Sequence, residues 1–202
     1  LKKKNIKKLN GHPLIAWTIT SAKQSKLIDD IIISSDSEKI LGTSKKYIND
    51  FLYLRPSYLG KDHIKNSDVC LDSCKYLLHT YKKKYDYIVL LQPTVPFRMD
   101  NEIDRAIKKF NKFNFEYLIN VKEQDYPPWW MFKLTKNKIK PIFNFKNKEV
   151  FKLRRQNFGD IYRPSGSLYI TKFKNLQKNK IMTSSVNCGY YKVNFESSFN
   201  ID

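Results

Sequence analysis

Arginine marks where this sequence could do chemistry. Of its 38 basic residues 32 are Lys and 6 are Arg, and five of the six (Arg55, Arg98, Arg154, Arg155 and Arg163) lie in stretches rich in Pro, Gly or Gln; Arg105 alone sits in an ordinary helical pattern. A guanidinium is a rigid planar fork that grips a carboxylate, a phosphate or a base edge through two N–H donors at once, which a lysine ammonium does not do. Five such forks in loops predict a site that handles anions. Polar side chains stand ready beside them. Gln92 follows the apolar run Ile88-Val89-Leu90-Leu91, so a carboxamide able to donate and accept emerges where that run ends. Pro93 and Pro96 fix the turn behind it. Ser34-Ser35-Asp36 and Arg55-Pro56 are similar exits from apolar runs, and Arg154-Arg155-Gln156 with Arg163-Pro164-Ser165-Gly166-Ser167 puts three more guanidiniums near a Gly/Ser turn.

Such loops need a scaffold, and the hydrophobic pattern supplies one. Residues 13–26 read as a helix entered through Gly11-His12-Pro13, with Ile15, Ile19 and Ala22 along one face. Residues 30–34 are a short continuous apolar run, as expected of a strand buried on both faces. Helix over 37–49, strand over 51–54 and helix over 67–81 follow, then the most strand-like run of all at 85–91. Asp100 is placed to cap a helix carrying Ile103, Ile107 and Phe110. Strands are predicted at 116–121, 167–171 and 190–194. This alternation predicts an α/β fold, a mainly parallel sheet flanked by helices. Ligands of open sheets bind beyond the carboxyl ends of the strands, where Asp36, Arg55 and Gln92 fall.

Residues 125–157 break the rhythm. Tyr126-Pro127-Pro128-Trp129-Trp130-Met131-Phe132 and the short strands and turns after it read as an excursion, whose aromatics either face a partner or substrate or cover the sheet edge. Both ends of the chain read as cut. It opens without Met in a basic loop before a helix, whereas an alternating fold opens with a strand, so a first strand and its phosphate-handling loop are expected upstream of Leu1.

The bulk numbers narrow the classes. At 202 residues with 41% hydrophobic and 14% aromatic content, this is a single globular domain with a sizeable core, which excludes a disordered basic tail. The net charge of +19 is spread along the whole chain and not gathered in one stripe, which fits a solvated Lys-rich surface better than a polynucleotide site. A small polyanionic substrate would also gain from this field. Three cysteines without CxxC spacing argue against a disulfide framework and a zinc site, and for a reducing compartment. No apolar run reaches the roughly 18 residues of a membrane span, and no signal-peptide pattern appears, so a cytoplasmic location is expected.

Seven blocks, taken in order, resemble one family. Leu1-Lys2-Lys3-Lys4-Asn5-Ile6, Asn10-Gly11-His12-Pro13-Leu14-Ile15-Ala16, Leu54-Arg55-Pro56, Leu90-Leu91-Gln92-Pro93-Thr94, Pro127-Pro128-Trp129-Trp130-Met131-Phe132, Arg154-Arg155-Gln156 and Tyr162-Arg163-Pro164-Ser165-Gly166-Ser167-Leu168-Tyr169-Ile170 are similar to acylneuraminate cytidylyltransferases (CMP-sialic acid synthetases). The resemblance implies a Rossmann-like nucleotide-diphospho-sugar transferase fold across residues 1–202, with 125–157 as a dimerisation excursion in a homodimer. It implies transfer of CMP from CTP to the anomeric hydroxyl of a nonulosonic (sialic) acid with Mg²⁺. By the same resemblance Asn5 belongs to the triphosphate loop, and Arg55 and Gln92 contact the cytidine part. Asn66 or Ser67 stands in for a Ser-rich stretch that recognises cytosine. Arg155, Arg163 and Tyr169 line the sugar pocket, and Lys133 reaches the partner's sugar site. Asp202 is a metal ligand, beside Asn200 where the family has Asp; Asn5, Gln92 and Asp202 make up the catalytic set. The family's Ala-Arg-x-Gly-Ser phosphate loop has no counterpart here, and Ser165 replaces its Asn in the sugar-site turn. The rival readings are a cytidylyltransferase for another 2-keto sugar acid (2-keto-3-deoxyoctonate, legionaminate or pseudaminate), a nucleic-acid-binding module that stacks bases on Trp129 and Trp130, and a non-catalytic dimer of the same fold.

Overall fold

Among the described residues, four groups of paired strands and five α-helices place the loops named above. The computed structural model describes residues 4–143 and 152–201. β1 (Lys8–Leu9) and β2 (His12–Pro13) form a short antiparallel hairpin. Its turn needs positive φ at both central residues, and Asn10 (47°) and Gly11 (82°) supply them. The hairpin feeds α1 (Leu14–Lys23), whose Ile15 and Ile19 pack with Ile48.

β3 (Ile32–Ser35) and β4 (Phe51–Leu54) pair in parallel around α2 (Glu38–Ser44). That helix is shorter than its sequence pattern suggests: Tyr47 N donates to Ser44 O and closes a turn instead of a further helical step. α3 (Asn66–Tyr81) leads into β5 (Tyr87–Leu91), and α4 (Glu102–Lys112) into β6 (Tyr117–Glu123). The cap position of α4 is Asn101, not Asp100, with φ 59° and no side-chain cap bond. β7 (Phe132–Thr135) and β8 (Lys138–Pro141) form a separate hairpin. β9 (Tyr162–Lys172), α5 (Phe173–Asn179), which the hydrophobic pattern did not reveal, and β10 (Cys188–Lys192) complete the fold.

The main sheet has the order β10-β6-β9-β5. It is mixed: β10 lies parallel to β6, while β9 runs antiparallel to both β6 and β5. The cause is the connection. A crossover helix returns the chain to the start of the sheet, but the excursion leaves it at the carboxyl end of β6, so β9 must run back down. The core sits under α4, where Ile103, Ala106, Ile107 and Phe110 meet Leu118, Leu168 and Ile170. Cys70 and Cys74 are buried free thiols of α3, pushed up to about 12 by desolvation, which suits core packing and not nucleophilic chemistry. Among the described residues no helix is long and apolar enough to cross a membrane.

Candidate functional site

A cleft of about 640 Å³ opens between β3 and β5, and its rim gathers the residues that follow the strands. Arg55 leaves β4 with its own N–H on Ser35 O (2.9 Å); its Nη1 donates to Ser34 O (3.0 Å) and its Nη2 to Asp36 Oδ1 (3.4 Å). A side chain at Gly60 would collide with the Asp36 carboxylate, so glycine is what lets that loop close on the rim. Gln92 stands at the end of β5, and a Cβ added at Gly166 (φ 81°) would lie 3.5 Å from its Oε1. The β9 turn thus runs directly beside the Gln92 carboxamide. Asn5 and Asn66 line the same cleft. Ser67 is buried within α3 and does not line it.

Buried polar atoms without a partner occur along this cleft. Six buried side-chain polar atoms lack a hydrogen-bond partner among the described residues, and three of them, Asn5 Oδ1, Ser34 Oγ and Arg55 Nε, belong to residues of this cleft. An orphaned buried polar group costs about 1–3 kcal/mol, so a polar ligand that pairs with these three would recover that cost.

The other arginines divide. Arg98, predicted with the anion-handling set, is consumed by the protein: Nη1 donates to Thr18 Oγ1 (2.8 Å), and Nη2 to Gln92 O (2.9 Å) and Ser167 O (2.8 Å). Desolvation lowers its pKa to about 10, and the side chain clamps α1, the turn after β5 and β9 together. Arg155 braces its own loop, donating to Asp125 O (2.7 Å), Gly159 O (2.8 Å) and Gln124 O (3.3 Å), with Glu123 at 3.6 Å. Arg163 is exposed on β9, in register with Lys122 of β6, whose pKa is lowered by desolvation and by this guanidinium. Tyr169 lies six residues further along β9, about 20 Å in an extended strand. It is half-buried between Leu90 and Ile119 against the α3–α5 cluster, and desolvation raises its hydroxyl pKa. Arg155 and Arg163 therefore share the carboxyl end of β6, and Tyr169 does not join them.

Sequence reasoning missed a buried polar network beneath the Gly166 turn. Asn120 Nδ2 donates to Glu102 Oε1 (2.9 Å) and Ser167 Oγ (3.0 Å), and Ser167 Oγ lies 2.8 Å from Ser165 Oγ. Burial raises the Glu102 pKa, so this carboxyl holds its proton more tightly than an ordinary glutamate. The available signal was Asn120, the one polar residue in Tyr117-Leu118-Ile119-Asn120-Val121, which falls where the β6–β9 register shifts.

The last residues return to the rim. Ile201 N donates to Thr94 O (2.8 Å), which sets Asn200 beside the turn after β5; Asp202 lies outside the described residues. Magnesium is held by one or two carboxylates together with the phosphates it accompanies. Asn200 offers a carboxamide and no carboxylate there, Asp36 is already engaged by Arg55, and among the described residues no group of three His, Cys, Asp or Glu side chains could hold a metal ion. In the excursion Trp129 stacks on Phe158 at 5.3 Å and Trp130 meets the same ring edge-on at 5.5 Å, so both indoles have a protein partner in the residue that follows the excursion. Lys133 is exposed on β7 opposite Lys140, outside the cleft.

Comparison with known proteins bears on the family and the fold. The family model described as cytidylyltransferase matches residues 1–192. The chain is 32% identical over 182 residues to the CMP-N,N'-diacetyllegionaminic acid synthase of Legionella pneumophila, covering 88% of this chain and 74% of that protein. It is 29% identical over 167 residues to the pseudaminic acid cytidylyltransferase of Campylobacter jejuni, covering 83% of this chain and 70% of that protein. In fold it is similar to a CMP:2-keto-3-deoxy-manno-octonic acid synthetase solved with CTP (TM-score 0.66, 13% identity, 96% of this chain and 84% of that one).

Proposed function

The chain belongs to the cytidylyltransferase family, and from that premise we propose that it transfers CMP from CTP to the anomeric hydroxyl of a nonulosonic sugar acid, sialic acid by the reading of its motifs. The observation that carries this proposal is the β3–β5 cleft, which Asn5, Arg55, Asn66 and Gln92 all line and beside which three buried polar atoms lack a partner. The anomeric oxygen attacks the α-phosphorus, the bond from that phosphorus to the pyrophosphate oxygen breaks, and the hydroxyl proton passes to solvent. Protein groups contribute position more than proton transfer. Gln92 and Arg55 hold the cytidine part, and Asn66 closes the cytosine side while Asn5 faces the triphosphate. Arg163, whose fork is exposed, takes the sugar carboxylate, and Arg155 stiffens the loop beside it. Holding the two reactants in line is worth several kcal/mol of barrier. Magnesium, when bound through Asn200 and Asp202, would neutralise charge on the phosphates.

The relatives' names favour pseudaminate or legionaminate as strongly as sialate, and 2-keto-3-deoxyoctonate shares their 2-keto acid chemistry. The protein is further read as a homodimer. Phe132, Leu134 and Ile139 share one face of the β7–β8 hairpin, and Leu134 and Ile139 are strongly exposed there (82% and 62%). An isolated two-stranded hairpin is marginal in water, and a second copy on this face would support it. Lys133 lies on the opposite face, free to reach a neighbouring site.

Thermal unfolding with CTP, UTP, ATP and GTP in turn, each with and without Mg²⁺, tests the nucleotide assignment. A ligand at 100 times its Kd stabilises by about 2.7 kcal/mol. A shift with CTP alone is expected, and equal shifts with all four would overturn it. Pyrophosphate release across a panel of the four sugar acids then identifies the acceptor.

A further inference from the structure

β6 and β9 lose register at one residue. Their ladder pairs Ile119 with Tyr169 and resumes at Val121 with Pro164, so Asn120 alone on β6 stands across from Ser165, Gly166, Ser167 and Leu168 of β9. A bulge of this kind interrupts the ladder, and bulges beside active sites re-aim the side chains around them.

A side chain ties the bulge where the ladder does not. Asn120 is buried, and its Nδ2 donates to Ser167 Oγ (3.0 Å) and to Glu102 Oε1 (2.9 Å). Glu102 is buried as well, its Oε2 accepting from Met99 N (3.3 Å) at the entrance to α4. Ser167 is the pivot. Its N–H donates to Ser165 Oγ (3.2 Å), and its carbonyl accepts from Arg98 Nη2 (2.8 Å) and Gln92 N (3.4 Å). Stability alone does not call for this amide. Two residues before it on β6, Leu118 packs into the core under α4, and Asn120 Oδ1 is left buried without a partner, so an apolar residue would serve packing better.

Two groups assigned to substrates lie on either side of the bulge. Arg163 stands just before it, in register with Lys122, and Gln92 lies beside it, since a Cβ added at Gly166 would sit 3.5 Å from Gln92 Oε1. The point at which the bulge is tied therefore sets the separation of Arg163 from Gln92.

We propose that Asn120 is a positioning residue: it pins the β9 bulge to Glu102 and so fixes where Arg163 stands relative to Gln92. This rests on the cytidylyl-transfer reading, in which Gln92 holds the nucleotide and Arg163 the sugar acid. Without the pin each substrate still meets its own anchor, but the attacking oxygen and the α-phosphorus are no longer held in line. A misplacement of about 1 Å costs about 100-fold in rate. The loss falls on kcat and spares both KM values.

The experiment is steady-state pyrophosphate release by Asn120→Ala and Ser167→Ala, with CTP and the sugar acid that the unsubstituted chain uses. Enzyme concentration is set by counting CTP-binding sites in calorimetry, so unfolded molecules do not enter kcat. Both variants should lose about tenfold or more in kcat, with KM for CTP and for the sugar acid within about threefold. Asn120→Asp alone sets two carboxyl groups face to face and should also lose turnover. Combined with Glu102→Gln it restores a donor opposite an acceptor, and kcat should return to within about threefold of the starting value. Undiminished kcat per binding site overturns the proposal, because Asn120 would then serve stability alone; so does a loss confined to KM. Should Asn120→Ala fail to fold, Ser167→Ala, which removes a single hydroxyl, decides by the same criteria. Amide exchange without nucleotide separates the pin from the reaction. In Asn120→Ala, or in Ser167→Ala, exchange at Gly166 and Ser167 should rise about tenfold and stay unchanged at Tyr169 and Ile170 in the ladder. If the unsubstituted chain releases no pyrophosphate with any of the four acids, the reaction reading fails, whereas unchanged exchange at Gly166 and Ser167 overturns the pin itself.

Discussion

Buried polar side chains gather in two places, one enclosed by the core and one beside a cleft. Beneath α4 and β9, Arg98, Glu102, Asn120, Ser165 and Ser167 are tied mainly to one another and to the backbone, with Arg98 Nε and Asn120 Oδ1 left without a partner. At the β3–β5 cleft, Asn5, Ser34 and Arg55 each keep a buried atom without a partner. The residue types are alike in the two places, and an arginine follows a strand in both. Both places keep buried atoms without a partner, so what distinguishes scaffold from site is enclosure: the closed network lies under α4 and β9, whereas the open one lines a cleft of about 640 Å³ that can admit a ligand.

Several experiments sharpen or break that contrast, beginning with the largest effect. Leu168→Ala, at a fully buried position of the closed side, should lower unfolding stability by about 2–5 kcal/mol in urea, while Val89→Ala at the half-buried cleft edge should cost less than half of that. Equal losses would mean that the cleft is packed as tightly as the core. Arg98→Met removes a buried donor shared by Thr18 Oγ1 and the Gln92 and Ser167 carbonyls, the two carbonyls each keeping one backbone N–H, with an expected cost of about 1–3 kcal/mol by the same measurement. Arg55→Lys should behave in the opposite way. Stability should change by less than about 0.5 kcal/mol, but CTP affinity by calorimetry should fall about tenfold, about 1.4 kcal/mol, because the fork is lost.

A pH series probes the closed network. Burial raises the Glu102 pKa in the folded protein, so the stability it contributes is whole in acid, below the ordinary glutamate value of about 4.3. It is lost as pH rises through the raised folded value. Glu102→Gln should flatten that decline, and an unchanged pH slope would show that the carboxyl is not held protonated. Smallest of all, Leu134→Ser on the exposed hairpin should leave unfolding within about 0.5 kcal/mol yet weaken self-association by sedimentation.

Much of this was legible from pattern alone. Continuous apolar runs marked β3 and β5, and the exits Asp36, Arg55 and Gln92 converge on one cleft as the carboxyl-end rule for open sheets predicts. The antiparallel course of β9 was not legible, since its hydrophobic run has no direction and only the non-helical excursion before it dictates the return. α5 escaped notice because seven residues over two turns carry too little periodicity. Arg98 and Arg55 were indistinguishable by type and setting, and only their places in the fold separated them: Arg98 is spent on three acceptors from three segments, whereas Arg55 lines the cleft.

Sequence by itself determined the class of fold, the family and the kind of group at each strand exit, because periodicity, turn residues and motif order are properties of the chain read one residue after another. Tertiary structure alone decided which of those groups are spent and which stay open. Hydrogen-bond satisfaction depends on what lies across from a residue in space, and no local pattern encodes that.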